Sequence, residues 1–338
     1  MKIMIKIFWM IVFFHLNSVV AQVVGTPYIV PSESRYLPEV IPNNTSFGLS
    51  TRKISRDYTG FAMRVRRNSD NAIADIAFDS NQVVSDESLV TVTNSGTSGL
   101  LIGSTLTLAN FRTTANLFVT IWYDQSINGF NAIQNTVAYQ PELKLYVAGV
   151  NNQYAAVLFV GESKQSVVVN QPLNVLLTNS LSGTLAFIAR TSNVSINSHS
   201  FGYFDTINSQ NRWSIHMNWS DGNCYSDFGN ATDNYRAHAN ASNNAIYKQF
   251  TFIRNTNTKI TRISRATKIN TSQNVIVAPY LANVAVSSFG IGTVSGGSPL
   301  SYIGYSGHVP EIILFKDALN VSQADALESN QLLFWGSN

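Results

Sequence analysis

Leu117-Phe118-Val119-Thr120-Ile121-Trp122, followed by Tyr123-Asp124-Gln125-Ser126-Ile127-Asn128-Gly129, reads as a strand running into a tight reversal. β-Branched and aromatic residues fill the first six positions, as a pleated and half-buried surface requires. Residues 125–129 have the polar and glycine chemistry of a turn. Asp124, at the strand end, is placed to accept hydrogen bonds from turn amides. Similar apolar runs recur at 61–66, 183–189, 247–253 and 311–315, with Gly, Asn and Ser between them. That spacing, with few helical patterns, predicts an all-β fold, an antiparallel two-sheet sandwich.

One short C-terminal helix is expected. Ser322 with Asp325 gives a Ser-x-x-Asp start resembling a capping box. Ala324, Leu327, Gln331 and Phe334 then share one face, with Leu333 beside it. Such a helix, packed across a sheet edge, would shield that edge from unwanted pairing. Residues 1–21 read as a signal peptide: Lys2 and Lys6 precede the apolar run 7–14, and Val19-Val20-Ala21 precedes a cleavage point before Gln22. The run is shorter than the roughly 20 residues a spanning helix needs. The expected product is therefore secreted and extracellular, with no membrane span in the mature chain. Residues 22–47, with Pro27, Pro31, Pro38 and Pro42, read as an extended leader, and 48–338 as a single domain.

The formal charge is +3, part of it in the signal peptide, so the mature chain is near neutral. Nucleic-acid binding would require a clustered basic face. Arg254, Lys259, Arg262, Arg265 and Lys268 come nearest, read either as the solvated face of strands or as a patch for acidic polysaccharide. Cys224 is the single cysteine, so no internal disulfide exists and a large apolar core must hold the fold. Cys224 is either a buried thiol or the site of an intermolecular disulfide. Sequons at Asn43, Asn44, Asn193, Asn218, Asn230, Asn240, Asn270 and Asn320 are N-glycosylation candidates. His199, His216, His238 and His308 are scattered, without metal-ligand spacing, and no cofactor or resident metal is expected.

Three segments carry a family resemblance: residues 50–71 with Tyr58-Thr59-Gly60-Phe61, residues 119–132 with Tyr123-Asp124-Gln125-Ser126, and Ser220-Asp221-Gly222-Asn223-Cys224-Tyr225-Ser226-Asp227-Phe228-Gly229-Asn230. In this order they resemble the catalytic domain of fungal α-L-arabinofuranosidase B and related concanavalin A-like/laminin-G-like modules. The resemblance covers about residues 48–336 and implies a concanavalin A-like jelly roll. In those enzymes the third segment carries two adjacent, joined cysteines; here Asn223-Cys224-Tyr225 cannot form that bridge. Trp213, Trp219 and Tyr225 could offer flat faces to a sugar ring, or serve as core aromatics. Asp221, Asn223 and Asp227 fit either an acceptor-stabilised turn or a calcium loop.

The resemblance also implies a retaining mechanism with two carboxylates after the cysteine loop, the acid/base following a Gly-Ile-Gly-like stretch. The corresponding Gly290-Ile291-Gly292-Thr293-Val294-Ser295 holds no acid, and no Asp or Glu occurs from Asn234 through Pro310. Retaining hydrolysis needs two carboxyl groups flanking the bond. The expectation is therefore no catalytic residue and a non-catalytic lectin-like or matrix module. Its expected partner is a polysaccharide or glycoconjugate, with Trp213, Trp219, Asp221, Asn223, Tyr225 and Asp227 as candidate ligand residues. The rivals are a glycosidase with relocated carboxylates (Asp221 with Asp227 or Glu311) and a structural assembly protein bridged through Cys224.

Overall fold

The structure is a computed structural model that describes residues 35–40, 44–149, 152–178, 182–192, 197–205, 212–217, 219–228, 236–240, 246–255, 258–264, 268–274, 288–296 and 303–336. The expected signal peptide and most of the expected proline-containing leader lie outside these residues. Among the described residues no helix is long and apolar enough to cross a membrane.

The strand Leu117–Trp122 pairs with Met63–Arg67 on one side and with Ala132–Ile133 and Glu142–Ala148 on the other. From Ala132–Ile133 the ladder passes through Val167–Val169, Phe289–Ile291 and Phe201–Phe204 to Arg212–His216, Asn223–Phe228 and Arg236–Asn240. From Glu142–Ala148 it passes through Tyr154–Phe159, Gly307–Phe315 and Gly183–Thr191 to Lys248–Arg254, Thr258–Ser264 and Lys268–Asn274. All these pairings are antiparallel. The expected all-β architecture is present, with its two layers joined by continuous ladders into a nearly closed barrel-like sandwich. Phe47 meets Phe289 at 5.5 Å and Trp213 meets Phe289 at 5.6 Å, tying the first strand to the last third of the chain.

The turn after Leu117–Trp122 fastens the first strand. Asp124 Oδ1 accepts from the Gly48 and Ser126 amides, both at 2.8 Å, and Oδ2 accepts from the Phe130 amide at 2.8 Å and the Ser126 hydroxyl at 2.6 Å. Gln125 accepts from the Ile54 amide at 2.7 Å and donates to the Arg52 carbonyl at 2.9 Å. These buried side chains replace the water that a turn backbone would otherwise require. The first strand, Thr45–Ser50, begins ahead of the expected boundary at 48, because residues 45–50 pair with Gly307–Phe315. Leu37 also donates its amide to Ile54 and packs on the outer apolar cluster.

The C-terminal helix spans Val321–Trp335. Its cap corrects the expectation at Ser322: Asn320 accepts from the Gln323 amide, and Gln323 reaches back to the Asn320 amide. This is the reciprocal box two residues earlier, with Gly336 closing the helix at φ 57°. The helix covers a sheet face rather than an edge. Gly183–Thr191 is apolar on both sides: Leu185 and Phe187 enter the main core, while Ala186 and Ile188 face outward under the helix. Ala324 and Leu327 pack there with Ile313 and Phe315. Beneath them, fully buried Arg52 and Glu311 form a bidentate pair at 2.7 and 3.0 Å. Gln331, Ser50 and Asn330 complete the network.

Candidate functional site

Arg212–His216 and Asn223–Phe228 form a hairpin whose two faces differ. Trp213, Ile215 and Cys224 enter the main core. Arg212, Ser214 and His216 project the other way, and Ser214 and His216 lie opposite Asp227 and Tyr225 in register. Period-two alternation of the strand produces this separation. Asp227, 0 % exposed, lies with Oδ2 3.0 Å from His216 Nε2 and 3.4 Å from Arg212 Nη1. His216 Nδ1 faces the Ser198 carbonyl at 2.9 Å, and Ser214 Oγ is 3.3 Å from Nε2. Serine and aspartate therefore share one ring nitrogen, which is not the relay order of a hydrolytic triad. The His199 and His216 rings meet edge to face at 4.5 Å.

Above this buried polar cluster stands a half-buried aromatic ledge. Trp219 lies 5.0 Å from His216 and 6.3 Å from Tyr225. The Tyr225 hydroxyl donates to Asp221 Oδ2, and the Asn223 amide donates to Asp221 Oδ1 at 2.9 Å. Partial burial would raise the Asp221 carboxyl, but these hydrogen bonds outweigh it and hold the carboxyl below its ordinary value. Asp221 is thus a fixed acceptor beside an aromatic surface, which can orient a sugar hydroxyl next to a ring face.

The Gly290-Ile291-Gly292 stretch borders the same cluster. Gly290 registers with Gly202, the Ser295 amide donates to Gly202 O at 2.9 Å, and the Val294 amide donates to His199 O at 3.3 Å. Two glycines make this approach possible. A Cβ on Gly202 (φ 106°) would lie 1.9 Å from Trp213 O, and one on Gly292 (φ 93°) would lie 2.3 Å from Phe159 Cδ1. The acid-free turn is therefore adjacent to the histidine pair in space.

Of the six expected ligand residues, Trp219, Asp221, Asn223 and Tyr225 gather at the hairpin end. Trp213 does not: it is 1 % exposed in the core and has no face for a ligand. Asp227 is also withdrawn, turned into the buried pair with His216, so the calcium-loop spacing is not realised as a shared set of oxygens. Cys224 is a free thiol buried at 0 % exposure, the first of its two expected readings, and nothing in the fold supports the alternative of an intermolecular bridge. Glu311 is excluded as a relocated catalytic acid by its enclosure with Arg52.

His199, His216 and Arg212 were missed by reading the histidines as scattered. Alternation of Arg212, Ser214 and His216 against Trp213 and Ile215 was the available signal. The basic run is not one surface: Arg262 is 5 % exposed and pairs with Glu328 at 2.8 Å and with Asp325. Arg254 is likewise buried, while the side chains of Lys259 and Lys268, and Arg265 altogether, lie outside the described residues. Among the sequons, Asn320 is exposed, and Asn44 is half-buried with its amide nitrogen donated to Asp317 at 3.1 Å. Asn43, Asn193, Asn218 and Asn230, and the side chains of Asn240 and Asn270, lie outside the described residues.

No protein-family profile and no curated protein matches the sequence. Solved structures do match in fold. An arabinofuranosidase complexed with arabinofuranosyl-α-1,2-xylobiose is similar with TM-score 0.59 and 12 % identity, over 86 % of this chain. A GH54 α-L-arabinofuranosidase soaked with a cyclic sulfate inhibitor is similar with TM-score 0.58 and 12 % identity, again over 86 % of this chain. The chain spans 63 % of the length of each, and the likeness establishes an arabinofuranosidase-like fold.

Proposed function

We propose that this chain is a secreted carbohydrate-binding module that holds a neutral polysaccharide on the Trp219–Tyr225 ledge without cleaving it. The observation that carries the reading is the turn Thr293-Val294-Ser295. It lies against His199 and Gly202, where the arabinofuranosidase resemblance calls for a proton-transferring acid, and it offers no carboxyl group. Two carboxyl groups flanking the glycosidic bond are the ordinary requirement for hydrolysis. Trp219 and Tyr225 supply ring faces for sugar C–H groups, and Asp221 supplies a fixed acceptor.

The test is arabinan and arabinoxylan binding by affinity electrophoresis, beside release from an aryl arabinofuranoside. Binding by the full chain, its loss in Trp219→Ala, and no sugar release would sustain the reading. Saturating turnover would replace it with the rival in which Asp227 acts with another acid of the cluster. That rival draws on a fully buried carboxylate paired with His216, a setting in which functional acids are found. Turnover abolished by Asp227→Asn, with the fold intact, would establish it.

A further inference from the structure

The outer face of the sandwich carries a second, separate arrangement. In cross-strand register, Arg66 lies opposite Phe118, Phe118 opposite Glu142, Glu142 opposite Leu158, Leu158 opposite His308, and His308 opposite Arg190. Directly opposed residues share a face. The alternating neighbours Val65, Val119, Leu143, Val157, Val309 and Ala189 are buried in the core, so this row points away from it; its members are half-buried except Arg66, which is 8 % exposed. Five strand spacings of about 4.8 Å give it a length of about 24 Å.

Its two arginines are built alike. The Arg66 guanidinium lies 5.2 Å over the Phe118 ring and donates from Nε to Gln140 Oε1 at 2.8 Å and from Nη1 to Asn71 Oδ1 at 3.0 Å. The Arg190 guanidinium lies 5.0 Å over the Tyr247 ring, with Nη2 3.2 Å from His308 Nδ1. Arginine only donates, so His308 accepts there. Burial, together with Arg190 and Lys144, lowers the His308 pKa to about 4, which keeps that acceptor neutral. Neutral partners fix both guanidinium planes without cancelling their charge. Arg52, Arg64, Arg67, Arg112, Arg212 and Arg262 instead each pair with an Asp or Glu. Glu142, the acid within the row, is neutralised by Lys144 at 2.7 Å.

We propose that this row is a docking track for one linear acidic polysaccharide, whose carboxylates seat on Arg66 and Arg190 while its sugar faces cross Phe118 and Leu158. A planar guanidinium fork matches a carboxylate in shape and charge, and stacking on a ring pre-orients it. A small anion reaches only one of two cations about 24 Å apart, whereas an extended polymer reaches both. Phe118 and Leu158 provide apolar contact between the charges, which a sugar ring can use.

The test is calorimetry of the full chain with polygalacturonate oligomers, neutral arabinan and a single-stranded oligonucleotide. Expected results are saturable polygalacturonate binding, at least about tenfold weakening between low and moderately high salt, and about tenfold or greater loss in the doubly substituted Arg66→Met, Arg190→Met chain. Arabinan binding should not change in that chain, because the ledge is elsewhere. Leu158→Glu, which introduces a negative charge at a half-buried surface position, should abolish polygalacturonate binding without touching either arginine, and serves if the methionine variants misfold. No binding by the wild type, equal binding by Leu158→Glu, or tighter binding of the oligonucleotide would overturn the proposal. Polygalacturonate binding without arabinan binding would sink the ledge and leave the track standing; the reverse would sink only the track.

Discussion

Glu311 and Asp227 are both fully enclosed carboxylates facing an arginine, yet the molecule closes over them in different ways. Glu311 lies between a sheet and a helix, its arginine is 0 % exposed, and Gln331, Ser50 and Asn330 occupy the remaining positions. Asp227 contacts His216, which in turn meets His199 and the half-buried Trp219, and its arginine side chain is 11 % exposed. Burial of an acid therefore does not distinguish a site from a scaffold. What covers the acid does, because a packed helix excludes ligand and an aromatic ledge admits it.

The comparison can be broken most decisively by matched amide substitutions. Glu311→Gln should cost about 3–5 kcal/mol, since it leaves Arg52 as an unpaired buried charge. Asp227→Asn should cost about 1.5–3 kcal/mol, the range for a lost charged hydrogen bond, since its arginine is partly open to solvent. Urea midpoints of the two variants measure this, and equal losses would erase the distinction. A second contrast uses the tryptophans of one hairpin. Trp213→Ala should lose about 3–5 kcal/mol through a core cavity, whereas Trp219→Ala should lose under about 1 kcal/mol while removing glycan binding.

Acid titration sharpens the contrast further. His308 is depressed from 6.5 to about 4 by burial and by Arg190. Between those values the unfolded chain binds the extra proton, so stability falls as pH drops from 6.5 towards 4. The loss should be on the order of 2 kcal/mol, after allowance for the exposed part of the ring, and should vanish in His308→Gln. Glu311 acts lower on the scale. Burial would raise it, but Arg52, Gln331 and Ser50 hold it below 4.5. Its contribution is present above 4.5 and is lost as pH falls through the lower folded value. Chemical denaturation across pH should resolve the two phases. The smallest effect belongs to the helix cap: Asn320→Ala should cost about 1 kcal/mol in thermal unfolding, by removing the Gln323 amide's acceptor.

Much of this was legible locally. The strand and turn of 117–129 follow from β-branched and aromatic residues ending in polar turn chemistry, and Asp124 does the turn-binding work its position implies. The ion pairs Arg64–Asp75 and Arg67–Asp70 were also readable, being close in sequence. The cap was misread by two residues because Ser322-x-x-Asp325 and Asn320-x-x-Gln323 are both plausible boxes, and only the path of the chain out of Leu319 chooses between them.

Residue type and order by themselves determined the alternating strands, the terminal helix and its buried face, the lone cysteine, and the carboxylate-free stretch from Asn234 through Pro310. These are properties of composition and short-range periodicity. Tertiary structure decided which face each alternating set would meet. It sent Trp213 into the core, drew His199, just ahead of the strand Phe201–Phe204, to His216, set the Thr293-Val294-Ser295 turn beside them, and closed Glu311 under the helix. It also aligned Arg66 with Arg190 across six strands. Such proximities are fixed by inter-strand register and by layers covering one another, and residues far apart in sequence acquire them only when the sheet closes.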